Sequence, residues 1–146
     1  MTEDKSINTI AILQYNLRKN QSRTHSVLND PSSSHYTMLM LQEQYWSDYT
    51  KSSPTHESWT LIESDSYPNC PPRNAIYINN HILDTSAFRI IPFSLPDVKA
   101  VAINTTNNAK PTLIINAYCH EGVSSKESRA AFEGSGRDEY KKDVCC

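Results

Sequence analysis

At 146 residues the chain has the length of one domain, and a compact fold of this size buries roughly 68–70% of its unfolded surface, enough for a real core. Hydrophobic residues make up 38% and glycine supplies only three positions, so the core is modest and most turns must be made by Asn, Asp, Ser and Pro. Fourteen basic residues against sixteen acidic ones give a net charge of −2, which excludes a global basic field; any nucleic-acid contact has to use a local patch.

The first five residues, Met1 to Lys5, are polar and offer no apolar stretch of a secretory signal, and no run approaches the ~18 apolar residues of a membrane span. The expectation is an intracellular protein of nucleus or cytoplasm. Four cysteines, Cys70, Cys119, Cys145 and Cys146, contain no C-x-x-C. A zinc site from Cys119, His120 and the terminal pair lacks the usual ligand spacing, and free thiols in a reducing compartment are the preferred reading.

Residues 7–15 read as a buried strand, with Ile7, Ile10, Ala11, Ile12 and Leu13 in a near-continuous apolar run. Residues 17–29 are rich in Arg, Lys, Gln and Ser and read as a weakly amphipathic helix. Asn29-Asp30-Pro31 with three serines is a helix stop and loop. Residues 36–41 form a second apolar run, too short for a helix. Strand, helix, strand in so short a span is a βαβ unit with parallel strands. In such sheets, sites form at the carboxyl ends of the strands, which places Asn16 and Glu43 on one edge.

The remainder reads as a β meander: strands over 58–63, 74–79, 87–91, 98–104 and 112–118, with a proline-rich loop at 66–72 and turns at Asn79-Asn80 and at 105–110. Residues 121–146 carry few apolar anchors and Gly134-Ser135-Gly136, so they read as a flexible tail that cannot offset the cost of ordering itself.

Four segments then occur in order: Ile12-Leu13-Gln14-Tyr15-Asn16-Leu17-Arg18-Lys19, Met40-Leu41-Gln42-Glu43, Pro72-Arg73-Asn74-Ala75-Ile76-Tyr77-Ile78-Asn79, and Ile114-Ile115-Asn116-Ala117-Tyr118. The series resembles the N-terminal part of the endonuclease/exonuclease/phosphatase superfamily, and most closely the apurinic-type endonuclease domain of fungal non-LTR retrotransposons. The resemblance covers residues 7–120 and implies an α/β fold, a partial αββα sandwich whose first, mixed sheet has flanking helices and whose second sheet is largely missing.

By that resemblance, Glu43 would ligate Mg²⁺ or Mn²⁺, with Asn16 orienting a ligand or the attacking water beside it. Tyr118 would donate its phenol to the scissile phosphate. Arg18, Lys19 and Arg23 would supply the phosphate-contacting patch, whereas Arg73 reads as either a substrate contact or a charge at a strand entry. Taken singly, each residue has a plainer reading: a solvated carboxylate, a turn-forming Asn, a strand aromatic, a solvated helix face. His25, His35, His56 and His81 have no carboxylate partner at useful spacing.

The family pattern continues with a Gly-Asp-x-Asn strand end and finishes on Ser-Asp-His, and neither occurs in these residues. The expectation is therefore a truncated or degenerate, retrotransposon-derived DNA endonuclease that is inactive alone and exposes a sheet face and edge prone to self-association. The alternatives are a noncatalytic α/β module that binds nucleic acid or protein, and a phosphatase-type member of the same superfamily.

Overall fold

A computed structural model of the chain describes residues 7, 9–63, 71–92, 97–105 and 110–119. The expected proline-rich loop, most of the 105–110 turn and the expected tail therefore lie largely or wholly outside the described residues. Among the described residues there are seven strands, β1 (Ile12–Asn16), β2 (Met38–Gln42), β3 (Trp59–Glu63), β4 (Asn74–Asn79), β5 (Phe88–Ile91), β6 (Val98–Ile103) and β7 (Thr112–Ala117), with one α-helix, α1 (Gln21–Asn29), and two short 3-10 turns.

The strands form two sheets. The first runs β1-β2-β4-β3, with β1 and β2 parallel and the other pairs antiparallel; the second is an antiparallel β5-β6-β7. This is the partial α/β sandwich expected, with a mixed first sheet. The strands read as one meander divide between the two sheets.

β2 and β4 are buried along nearly their whole length because both faces are covered. Met38 and Met40 on β2 and Ile76 and Ile78 on β4 pack with Val101, Ile103 and Ile114 of the second sheet. The alternate residues, Leu39, Leu41, Ala75 and Tyr77, pack with Leu17 and Leu28 at and beside α1. Period-two alternation therefore separates two apolar sets rather than an apolar and a polar one, which is why these strands read as continuous runs.

The start of β1, its burial and the start of the helix differ from the sequence reading, each for a physical reason. β1 begins at Ile12, because the N–H groups of Thr37 and Met38 already converge on the Ala11 carbonyl at 2.8 and 3.2 Å. β1 is also an edge strand with a single neighbour, so it is not buried: Ile12 and Tyr15 are 39% and 46% exposed. The helix starts at Gln21 rather than Leu17, since Arg18 and Lys19 hold positive φ of 51° and 56° and Asn20 caps the helix by accepting from the Arg23 N–H at 2.9 Å.

The segment after β2 is tied back to the sheet through polar groups. Gln44 is buried and donates to Ser53 Oγ and the Pro72 carbonyl, while the Ser53 N–H donates to both carboxylate oxygens of Glu63 at 3.3 Å. Burial raises the Glu63 carboxyl above its ordinary value, against the opposing pull of the Ser53 bonds. No helix among the described residues is long and apolar enough to cross a membrane.

Two expectations follow. Ile76→Ala opens a cavity between the sheets and should cost about 2–5 kcal/mol in urea unfolding. Glu63 binds its proton more tightly folded than unfolded, so its stabilising contribution is complete below the unfolded value and is lost as pH rises through the raised folded one. Thermal melts from about pH 4 to about pH 8 should show a decline that Glu63→Gln flattens.

Candidate functional site

The carboxyl ends of β1 and β2 lie side by side, because Asn16 pairs with Gln42 in parallel register. Beyond that pair the ladder continues for two more bonds. The Leu17 N–H donates to the Gln42 carbonyl at 2.8 Å and the Lys19 N–H to the Glu43 carbonyl at 2.6 Å. The edge expected from the βαβ reading is thus built, with Asn16 and Glu43 both on it.

Glu43 does not continue the strand. Its φ is +47°, and its N–H donates to the Arg73 carbonyl at 2.6 Å. With Arg18 and Lys19 this makes three non-glycine residues in the left-handed region on one sheet edge, each costing on the order of 1–3 kcal/mol. The surrounding bonds hold Glu43 in that geometry.

Tyr118 follows the last residue of β7, in the other sheet, and its N–H donates to the Asp97 carbonyl at 2.9 Å. Its phenol donates to Glu43 Oε1 at 2.8 Å, a contact between residues 75 positions apart. The hydrogen bond to Glu43 is the main cause that raises the Tyr118 phenol, with desolvation and the Glu43 charge adding and the Arg73 charge opposing. Arg73 stands over the Tyr118 ring, its guanidinium carbon 5.8 Å from the centroid, within cation–π range.

The remaining sequence candidates lie at the end of β1, in the turn after it, in α1 and just before β4. Asn16 is exposed, and its Oδ1 accepts from the Arg18 N–H at 3.0 Å, so its amide also shapes the turn. Arg18 and Lys19 are exposed in that same turn, beside Glu43. Arg23 is exposed on the first turn of α1. Arg73, read as either strand entry or substrate contact, serves both the backbone of Glu43 and the ring of Tyr118.

Three side chains to which the sequence reading gave no role also converge here. Gln42 Nε2 donates to the Ala117 carbonyl at 3.0 Å, and Asn74 and Asn116 are buried amides between the sheets. The signal for them is present in the strands: the inward rows Met38-Met40-Gln42, Ile78-Ile76-Asn74 and Ile114-Asn116 each change from apolar to amide at this end.

Among the described residues no group of three or more His, Cys, Asp or Glu side chains is placed to hold a metal ion. The donor chemistry at the edge still fits one kind of ion. A carboxylate oxygen keeps a second lone pair after accepting one hydrogen bond, as does an amide oxygen. Glu43 and Asn16 therefore suit a hard cation that takes few protein ligands and completes its shell with water and phosphate.

The Tyr118–Glu43 bond gives a direct measurement. Tyr118 should form phenolate at higher pH than free tyrosine, and Glu43→Gln should bring that titration back toward the ordinary range, removing both a carboxylate acceptor and a charge. Ring-labelled NMR, with Tyr118→Phe to assign the resonance, reads both.

No protein-family model matches the chain, and no curated protein matches it by sequence. Among solved structures it is similar to the endonuclease domain of TRAS1, a telomere-specific non-LTR retrotransposon, with a TM-score of 0.62 and 13% identity. The match covers 85% of this chain and 52% of that one, so the chain spans about half the length of the domain it matches. The likeness read in the strand-end motifs is therefore a likeness of fold as well: this chain has the architecture of part of a non-LTR retrotransposon endonuclease domain.

Proposed function

We propose that the chain is a truncated or degenerate metal-dependent phosphodiesterase of the DNA-endonuclease type, retrotransposon-derived, and that these 146 residues alone do not cleave DNA. The observation that carries the reading is the Tyr118–Glu43 hydrogen bond at the carboxyl ends of two sheets, in a fold shared with an endonuclease domain. On this reading residues 7–120 are the domain, 121–146 are a tail, and the setting is the nucleus or cytoplasm.

Glu43 would hold Mg²⁺ or Mn²⁺ through its carboxylate, with the Asn16 amide beside it. Held there, a divalent ion would supply Lewis-acid stabilisation to a phosphoryl oxygen and to the leaving 3′-oxygen. Tyr118 holds a proton on its phenol oxygen, aimed at Glu43 and able to swing to a phosphate oxygen as charge develops there. A tyrosine phenol already carries its proton at neutral pH, and the hydrogen bond to Glu43 raises its titration further. Arg73 stands over the ring at cation–π distance. Arg18 and Lys19 lie exposed in the turn beside Glu43 and would contact the flanking phosphates.

The missing part is the one that activates water. Neither Gly-Asp-x-Asn nor Ser-Asp-His occurs in the sequence, and a general base typically contributes about 10²–10⁴-fold. Binding of a metal–phosphate group and turnover are thus separable here.

Supercoiled plasmid with Mg²⁺ or Mn²⁺ should show no nicking beyond that of Glu43→Ala. Mn²⁺ binding, followed by electron paramagnetic resonance, should be weakened about tenfold or more by the same substitution. Nicking abolished by Glu43→Ala would overturn the inactivity, and equal Mn²⁺ binding would remove Glu43 as the ligand. Salt-dependent DNA binding untouched by Glu43→Ala or metal would favour a noncatalytic module.

A further inference from the structure

The Tyr118–Glu43 bond joins residues on different sheets, so it depends on how one sheet sits along the other. Apolar packing is non-directional and leaves that offset weakly fixed. Directional bonds are needed to set it, and the structure concentrates them at one end of the sandwich.

Asn74 Nδ2 donates to the Asn116 carbonyl at 2.9 Å and also to the Asp97 carbonyl. Asn116 Nδ2 donates back across the interface to the Leu41 and Ala75 carbonyls at 3.3 and 3.1 Å. Gln42 adds its bond to the Ala117 carbonyl. Every one of these bonds ends on a residue close in sequence to Glu43, Arg73 or Tyr118, or on Asp97, whose carbonyl also receives the Tyr118 N–H. Asn74 and Asn116 are fully buried.

Each of the two asparagines spends both of its N–H bonds on backbone carbonyls, which fixes the orientation of its amide. The cost is that Asn74 Oδ1 and Asn116 Oδ1 are buried with no hydrogen-bond partner among the described residues. An apolar pair would avoid that desolvation penalty and would serve cohesion alone better. Two amides at this end serve alignment instead.

We propose that Asn116 and Asn74 are positioning residues, a buried amide clasp that locks the exit of β7 against β2 and β4 so that the Tyr118 hydroxyl stays on the Glu43 carboxylate. Its functional meaning rests on reading Glu43 and Tyr118 as a phosphate site; its geometry does not. Gln42 is the outer, half-buried member of the same clasp.

The structure supplies its own control. Asn79, at the opposite end of β4, is also buried and also donates to two carbonyls, those of Ser34 and Tyr36, at 3.0 Å each. It takes no part in the junction with β7.

The test is the ¹³Cζ resonance of Tyr118 in ring-labelled protein at neutral pH, a readout that needs neither metal nor DNA and so survives failure of the nuclease reading. Glu43→Ala defines the position without the carboxylate bond. Asn116→Ala should move the resonance most of the way there, and Asn79→Ala should leave it at the wild-type position while lowering the melting temperature comparably. A wild-type resonance in Asn116→Ala would overturn the proposal, as would an equal shift in Asn79→Ala. Should Asn116→Ala not fold, Gln42→Ala decides the matter: a smaller shift in the same direction supports the clasp, and no shift overturns it.

Discussion

The structure depends on β2 and β4 being covered on both faces. Met38, Met40, Ile76 and Ile78 need one apolar partner layer, while Leu39, Leu41, Ala75 and Tyr77 need another. The second sheet meets the first demand, and Leu17, Leu28 and the α1 segment meet the second. Because the two layers must close on the same pair of strands, the end of β2 is brought opposite the end of β7. Glu43 and Tyr118 then meet although they are 75 positions apart.

At that end the chemistry of the inward rows changes from methionine and isoleucine to amide. Burial drives the sheets together there, and hydrogen bonds to backbone carbonyls set their offset. The same edge holds three left-handed non-glycine residues, Arg18, Lys19 and Glu43, linked by the Lys19 N–H to the Glu43 carbonyl. Strain of this kind persists only where neighbouring contacts enforce it, and here three such residues sit at or beside the Glu43 carboxylate.

Much of the fold was legible because its strands carry strong local signals. β4 was read with its observed limits, since six consecutive buried residues bounded by Pro72 and the Asn79-Asn80 turn leave little choice. The start of the helix was not, although Asn20 three residues before Arg23 is an N-cap signal and Arg18-Lys19 gave no hint of left-handed backbone. Ile7 and Ile10 read as strand because they are apolar; in the structure they pack on the core beside the sheet without belonging to it. The segments of β5, β6 and β7 read as strands, but a local strand signal carries no information about which sheet a strand joins.

The site divides along the same line. Asn16 and Glu43 were placed on one edge by strand ends alone, while the pairing of Glu43 with Tyr118, the stacking of Arg73 and the amide clasp all arise between sheets. Those contacts join distant segments, so the change from apolar to amide along the inward rows marks this end of the strands, but no local pattern announces which residues meet there. If Glu43 holds a metal–phosphate site at this edge, crystals grown with Mn²⁺ and inorganic phosphate should show an anomalous peak within coordination distance of its carboxylate, with phosphate beside the ion and within reach of the Tyr118 hydroxyl. A peak elsewhere on the surface, or none at Glu43 at saturating Mn²⁺, would contradict such a site.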